Sequence, residues 1–135
     1  MGTKQTIWDP LRRKEVALTP EERVRQWFIS VLLNDMKVPA HMMMSEVGMK
    51  LGDKQWRADI LVYDRRQKPL AVVECKRPDV SLDNKVLDQT VRYNMVLDVS
   101  YVIITNGKST YMMRLSEGGV QMLDKVPQYE EMLAL

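Results

Sequence analysis

An α/β fold, with a central mixed sheet flanked by helices, is what the sequence predicts, on three observations. Thr19-Pro20-Glu21-Glu22 opens an amphipathic helix; Ile60 to Tyr63 and Leu70 to Cys75 are apolar strands joined by a polar turn; and a helical stretch separates the second strand from a third, Ser100 to Thr105. A strand, a helix and a strand in that order form a parallel pair joined by a crossover. The hairpin adds an antiparallel neighbour, which makes the sheet mixed. At 135 residues and 45% hydrophobic, the chain can bury one core. A single domain over residues 19–135 is expected, behind an N-terminal arm of residues 1–18.

Taken in order, residues 1–18 lack periodicity and carry the basic run Arg12-Arg13-Lys14, so they read as an arm or a short peripheral element. Thr19 suits an N-cap, Pro20 the first helical position, and Glu22 the fourth residue of a Thr-x-x-Glu capping box. Val24, Trp27, Phe28, Val31 and Leu32 recur at helical spacing, giving a helix over about 20–36 with that face on the sheet. After Pro39, Met42 to Met49 begins the sheet, its methionines serving as core filler. Asp64 to Lys68 turns the chain between the two hairpin strands. Pro78 ends the second strand, and Ser81 to Leu97 is a helix with Leu82, Val86, Gln89, Tyr93 and Val96 near one face. Asn106-Gly107 turns the third strand into Ser109 to Leu115. Glu117-Gly118-Gly119 breaks the chain again, and Val126 to Leu135 closes it as a short helix.

The strand Leu70-Ala71-Val72-Val73-Glu74-Cys75-Lys76 ends in charges that an apolar strand does not otherwise carry. An ion taken out of water is costly unless it is paired, hydrogen-bonded or metal-bound. Glu74 and Lys76, two apart, share a face. A hairpin folded about Arg66 and Gln67 places Asp59 opposite Glu74, two carboxylates with β-carbons about 5 Å apart. Such a pair repels unless a cation lies between them or one holds a proton. Oxygen-only donors without histidine or thiolate suit Mg²⁺ or Mn²⁺ better than zinc. Lys76 adds a fixed positive charge beside them, fit to hold a phosphate oxygen or to orient a water. A buried structural ion cluster is the competing reading. Cys75 alternates to the opposite face and reads as a small buried side chain, and the only histidine, His41, has no nucleophile or ligand set beside it.

Asp59, with Ala58 where the motif's name has proline, followed by Glu74-x-Lys76, resembles the signature of the PD-(D/E)XK nuclease superfamily. Pro20-Glu21-Glu22-Arg23-Val24-Arg25-Gln26, Asp59-Ile60, Glu74-Cys75-Lys76-Arg77-Pro78, Gln89-x-x-x-Tyr93-Asn94 and Thr105-Asn106-Gly107 stand in the order of the N-terminal domain of type I restriction enzyme R subunits. These blocks extend over about residues 19–115. The resemblance implies a restriction-endonuclease-like three-layer core and metal-dependent cleavage of DNA, with Mg²⁺ or Mn²⁺ on Asp59, Glu74 and the Cys75 backbone carbonyl and with Lys76 serving hydrolysis. It implies that a first-helix glutamate joins the acidic cluster. Glu21 is preferred to Glu22, which is assigned the cap, and Glu46 is a further acidic candidate. Arg25, one helical turn after Glu21, either supports the site or forms an ordinary salt bridge. Gln89 and Tyr93 resemble the extra motif of RecB-like nucleases, which implies contact with DNA; inward-facing side chains hydrogen-bonded to backbone in the core are the competing reading. A nuclease-fold module that binds DNA or a partner subunit without cutting is the alternative.

Composition narrows the setting. One cysteine excludes an internal disulfide, and no early apolar run or long apolar stretch suggests a signal peptide or membrane span. A cytoplasmic location is the simplest expectation. The net charge of +2 establishes nothing about nucleic acid by its total. Lys50, Lys54, Arg57, Arg65, Arg66, Lys76, Arg77, Lys85 and Arg92 nevertheless come from the segments expected around the site, either as a path for phosphates or as a solvated face. No Gly-x-x-x-x-Gly-Lys-[Ser/Thr] loop is present, so ATP-driven translocation would need a separate motor. Partners expected are DNA and restriction-system subunits. A second copy of the chain, pairing as a homodimer to cut both strands, is the other partner considered.

Overall fold

The computed structural model describes residues 4–134. Its centre is a six-stranded mixed sheet in sequential order, built from β3 (Met43–Leu51), β4 (Lys54–Tyr63), β5 (Pro69–Cys75), β6 (Tyr101–Thr105), β7 (Thr110–Ser116) and β8 (Gly119–Met122). All neighbours are antiparallel except β5 and β6, which run parallel with Ala71 beside Tyr101 and Cys75 beside Thr105. The crossover between them carries α2 (Asn84–Asn94), as a parallel pair requires.

Two apolar clusters separate on the two faces of the sheet. Val24, Phe28, Ile29 and Leu32 of α1 (Pro20–Asn34) pack with Ile60, Val62, Ala71, Val73, Tyr101 and Ile103, joined by Tyr129 and Met132 of α3 (Tyr129–Leu133). On the other face Leu87 and Val91 of α2 pack with Trp56, Leu61, Val72, Val102, Ile104 and Met113. Helix, sheet and helix thus form three layers.

Local chemistry accounts for the junctions. Thr19 Oγ1 accepts the Glu22 amide at 3.1 Å, with Pro20 in the first turn. Asp64 Oδ1 accepts the Arg66 and Lys68 amides at 2.8 and 2.9 Å, closing the β4–β5 turn. Ile60 then pairs with Val73 and Leu61 with Val72, the register of a turn centred between Arg66 and Gln67. Asn106 Oδ1 accepts the Lys108 and Ser109 amides, and Gly107 takes φ +86°, a conformation that glycine adopts without strain.

Several expectations are corrected. Of the arm or short peripheral element expected over residues 1–18, residues 6–17 take the second form, a hairpin of β1 (Thr6–Asp9) with β2 (Lys14–Ala17); residues 1–3 lie outside the described residues. Strands this short, with one fully buried side chain, leave no periodic signal. Trp27 is 46% exposed while Ile29 is buried, so the α1 face is rotated by part of a turn. On α2 the buried face is Leu87, Thr90, Val91 and Asn94, and Val96 is exposed. Of the methionines, Met43 is buried but Met44 is exposed. The capping box is half-formed, because the Glu22 carboxylate is drawn to arginines rather than back to the Thr19 amide.

Candidate active site

The ladder between β4 and β5 stops at Ile60 and Val73, and Asp59 and Glu74 lie just past it. There Asp59 Oδ2 accepts the Cys75 backbone N–H at 2.7 Å, taking the place of a ladder carbonyl. Across β3, the pairing runs Ser45 with Ile60 and Val47 with Ala58 but omits Glu46 and Asp59. Glu46 has φ +54°, a left-handed conformation that a side chain other than glycine adopts only when held there. Both strands rotate at this point. Ile60 and Val62 belong to the α1 face, whereas Ala58 and Trp56 join Leu61 on the α2 face; a strict period of two would keep residues 58, 60 and 62 together. Asp59 occupies the slip, at the opening between the strands.

Arg25 of α1 fills one side of this opening. Its side chain is 6% exposed, and its NH2 lies 2.9 Å from Asp59 Oδ1 and 2.6 Å from Glu46 Oε1. Its NH1 donates to Glu22 Oε1 at 2.7 Å, and Glu22 Oε1 also accepts from Arg12 at 2.8 Å. Glu22, 8% exposed at the side chain, is therefore a buried partner of two guanidinium groups. Glu21, expected nearer the buried face, is 45% exposed and only 3.9 Å from Arg25 NH2. It still lines the cleft.

Glu74 and Lys76 approach from β5, with Lys76 Nζ 3.7 Å from Glu74 Oε1. The other oxygen, Oε2, lies 2.8 Å from the Thr90 hydroxyl on α2. Together with Arg57 and Tyr93, the side chains of Glu21, Arg25, Glu46, Asp59, Glu74 and Lys76 border one cleft of about 390 Å³, with Cys75 in its wall. Gln89 is exposed and borders an adjoining cleft with Glu74, Lys76, Thr90 and Tyr93. Arg77 lines neither cleft; its Nε pairs with Asp79 at 3.2 Å. The Tyr93 hydroxyl oxygen accepts the Arg57 backbone N–H at 2.8 Å, a bond that leaves its own O–H to donate elsewhere.

Electrostatics distinguishes the members. Burial raises the pKa of Asp59, against the Cys75 amide and Arg25, which pull it down, and Glu74 adds to the rise. Burial and the nearby Asp59 raise Glu21 as well. Burial and then Asp59 push the Cys75 thiol well up, so it stays protonated and unreactive. Carboxylates that raise one another's proton affinity across a partly dry cleft favour either a proton or a cation.

The donor set is chemically suited to a hydrated Mg²⁺ or Mn²⁺, which binds through one or two carboxylates and keeps several waters. Among the described residues no three Asp, Glu, His or Cys side chains converge into a ready-made cage, which weighs against a fully protein-ligated ion. Sequence reasoning passed over Thr90 and the depth of Glu22, and it quoted Asn94 in a motif block without giving it a role. A polar residue recurring with Leu87 and Val91 at helical spacing is the signal that marks Thr90 and Asn94 as inward-facing.

The family model described as "Type I restriction enzyme R protein N terminus" matches residues 20–127. A fragment of an inferred HsdR subunit of a type I restriction enzyme from Vibrio vulnificus superposes with a TM-score of 0.63 at 21% identity, over 87% of this chain and 25% of that one. The chain thus spans about a quarter of the length of that relative. An inferred nuclease belonging to DUF820 from Anabaena variabilis superposes with a TM-score of 0.54 at 15% identity, over 96% of this chain and 84% of that one. No curated protein matches the sequence. At these identities the two structures establish a shared fold, and the α/β layering expected from the sequence is the one they share.

Proposed function

Since the chain belongs to the family of type I restriction enzyme R protein N termini, we propose that it is a metal-dependent endonuclease that hydrolyses DNA phosphodiester bonds. The observation that carries this reading is the meeting of Asp59, Glu74, Lys76 and Glu21 on one open cleft, at the place where β4 and β5 part. Asp59 and Glu74 would hold Mg²⁺ or Mn²⁺, one ion or two, with the Cys75 carbonyl as a third oxygen. Bound there, the cation supplies Lewis acidity to the phosphodiester and lowers the pKa of an attacking water. Lys76 orients that water or offsets charge on the phosphate as the bond to the leaving oxygen breaks. Glu21, its proton affinity raised, accepts a proton or a water hydrogen bond at the cleft mouth. Arg57 offers a phosphate contact, and Gln89 lies where a strand entering the adjoining cleft would pass.

A second reading has its own observation. Arg25 NH2 already pairs with Asp59 at 2.9 Å and Lys76 lies 3.7 Å from Glu74, so each of the two carboxylates has a cationic partner without a metal, which would suit a module that binds DNA or a partner subunit without cutting. In either case the family points to a restriction-system setting, with other subunits or a separate ATP-driven motor supplying translocation; under the first reading a second copy would supply the second strand cut. No helix among the described residues is long and apolar enough to cross a membrane.

Cleavage of linear, nicked, single-stranded and supercoiled DNA with Mg²⁺ or Mn²⁺ tests the first reading. The parent chain is expected to cut, and Asp59→Ala, Glu74→Ala and Lys76→Ala to lose activity by at least a hundredfold while remaining folded. A parent that neither cuts any of these substrates nor binds metal by calorimetry leaves the binding module as the function.

A further inference from the structure

Past Ile60 and Val73 the β4–β5 backbone ladder gives way to a single side-chain bond, from the Cys75 amide to Asp59 Oδ2 at 2.7 Å, and Asp59 and Glu74 lie there. Helix α2 reaches both strands. The buried Thr90 hydroxyl is 2.8 Å from Glu74 Oε2 and 2.9 Å from the Val86 carbonyl. It has one proton for two acceptors, and the charged carboxylate is the stronger. One turn on, Tyr93 Oη accepts the Arg57 N–H at 2.8 Å, and Asn94 Oδ1 accepts the Trp56 indole N–H at 3.2 Å. Asn94 is itself locked by donating to the Thr90 carbonyl at 2.8 Å. Trp56 and Arg57 precede Asp59 by three and two residues, in the part of β4 whose only ladder partner is β3. A single rigid turn therefore grips the Glu74 carboxylate and the strand that carries Asp59.

We propose that Thr90, Tyr93 and Asn94 are positioning residues that set the separation of the Asp59 and Glu74 carboxylates, with Tyr93 acting through the Arg57 amide. This rests on the metal reading above. Groups that orient metal ligands through hydrogen bonds typically change affinity by about 10- to 100-fold when removed. A merely structural role would lower the melting temperature and leave metal affinity below it untouched.

Mn²⁺ titration calorimetry on the full chain without DNA, with melting followed by circular dichroism, tests it. Thr90→Val and Tyr93→Phe are expected to weaken Mn²⁺ binding by about tenfold or more at nearly unchanged melting temperature, and Thr90→Ser to restore it. Parent-like affinity in both Thr90→Val and Tyr93→Phe overturns the proposal. Should Thr90→Val fail to fold, Tyr93→Phe decides, since its side chain is 44% exposed and the freed amide can turn to water. A parent that binds no Mn²⁺ overturns the metal reading and this one with it, whereas a binding parent with indifferent variants overturns this one alone.

Discussion

Arg25 shows how one buried side chain organises the cleft. Its guanidinium ties α1 to β3 and β4 through Glu46 and Asp59 and pairs with Glu22 on its own helix, so removing it leaves the largely buried Asp59 carboxylate without its arginine partner. Breaking a buried ion pair from one side costs about 3 to 5 kcal/mol. Arg25→Met is expected to lose stability of that order in urea unfolding. A loss below about 1 kcal/mol, the scale of an exposed ion pair, would show that the cluster is solvated and that Arg25 does not brace it. The Glu-x-x-x-Arg spacing was legible in the sequence, but its meaning was not. Spacing identifies Glu21 as a neighbour of Arg25, while the nearer partners, Glu46 and Asp59, come from distant segments that local pattern does not bring together. Glu22 was misjudged for the same reason, because its arginine partner Arg12 lies in a hairpin that has no periodicity.

That hairpin, β1–β2, is an element docked by charge. Asp9 is fully buried, accepts the Leu11 and Arg12 amides, and pairs with the Arg12 guanidinium, which also holds Glu22 on α1. Burial pushes the Asp9 carboxyl up, but the Arg12 side chain and the two amides outweigh it and leave its pKa below the ordinary value. A carboxylate depressed by folding contributes stability that is complete above its unfolded pKa, near 3.9, and is lost as pH falls through the lower folded value. Asp9→Asn is therefore expected to be less stable at neutral pH and to lack part of the parent's decline below about pH 4, seen by denaturant midpoints across pH. Identical acid profiles would contradict the docking role. Elements with strong local chemistry were readable: the Thr19-Pro20 start of α1, the Asp64 turn, and the crossover between β5 and β6. The buried faces of α1 and α2 were read less well, since Trp27 and Val96 are apolar yet exposed while Thr90 and Asn94 are polar yet buried. Hydrophobic periodicity cannot see a polar side chain that is satisfied inside, and β8, exposed along its length, offers no alternation at all.

At the scale of the whole molecule, the sheet brings together parts that are far apart in sequence. The first helix supplies Glu21 and Arg25, β3 supplies Glu46, the divergent hairpin supplies Asp59, Glu74 and Lys76, and the crossover helix braces them from behind. Three layers around a mixed sheet, with charge concentrated where two central strands part, place the functional elements at one end of a fold that is otherwise apolar inside. The central claim is that this opening is a metal centre rather than an ion cluster held by Arg25 and Lys76 alone. Anomalous diffraction at the manganese edge from crystals soaked in Mn²⁺ tests it most directly. The account predicts a peak bordered by the Asp59 and Glu74 carboxylates, absent in Glu74→Gln. Asp59 still held by Arg25, with no manganese peak in the cleft at millimolar Mn²⁺, would contradict it.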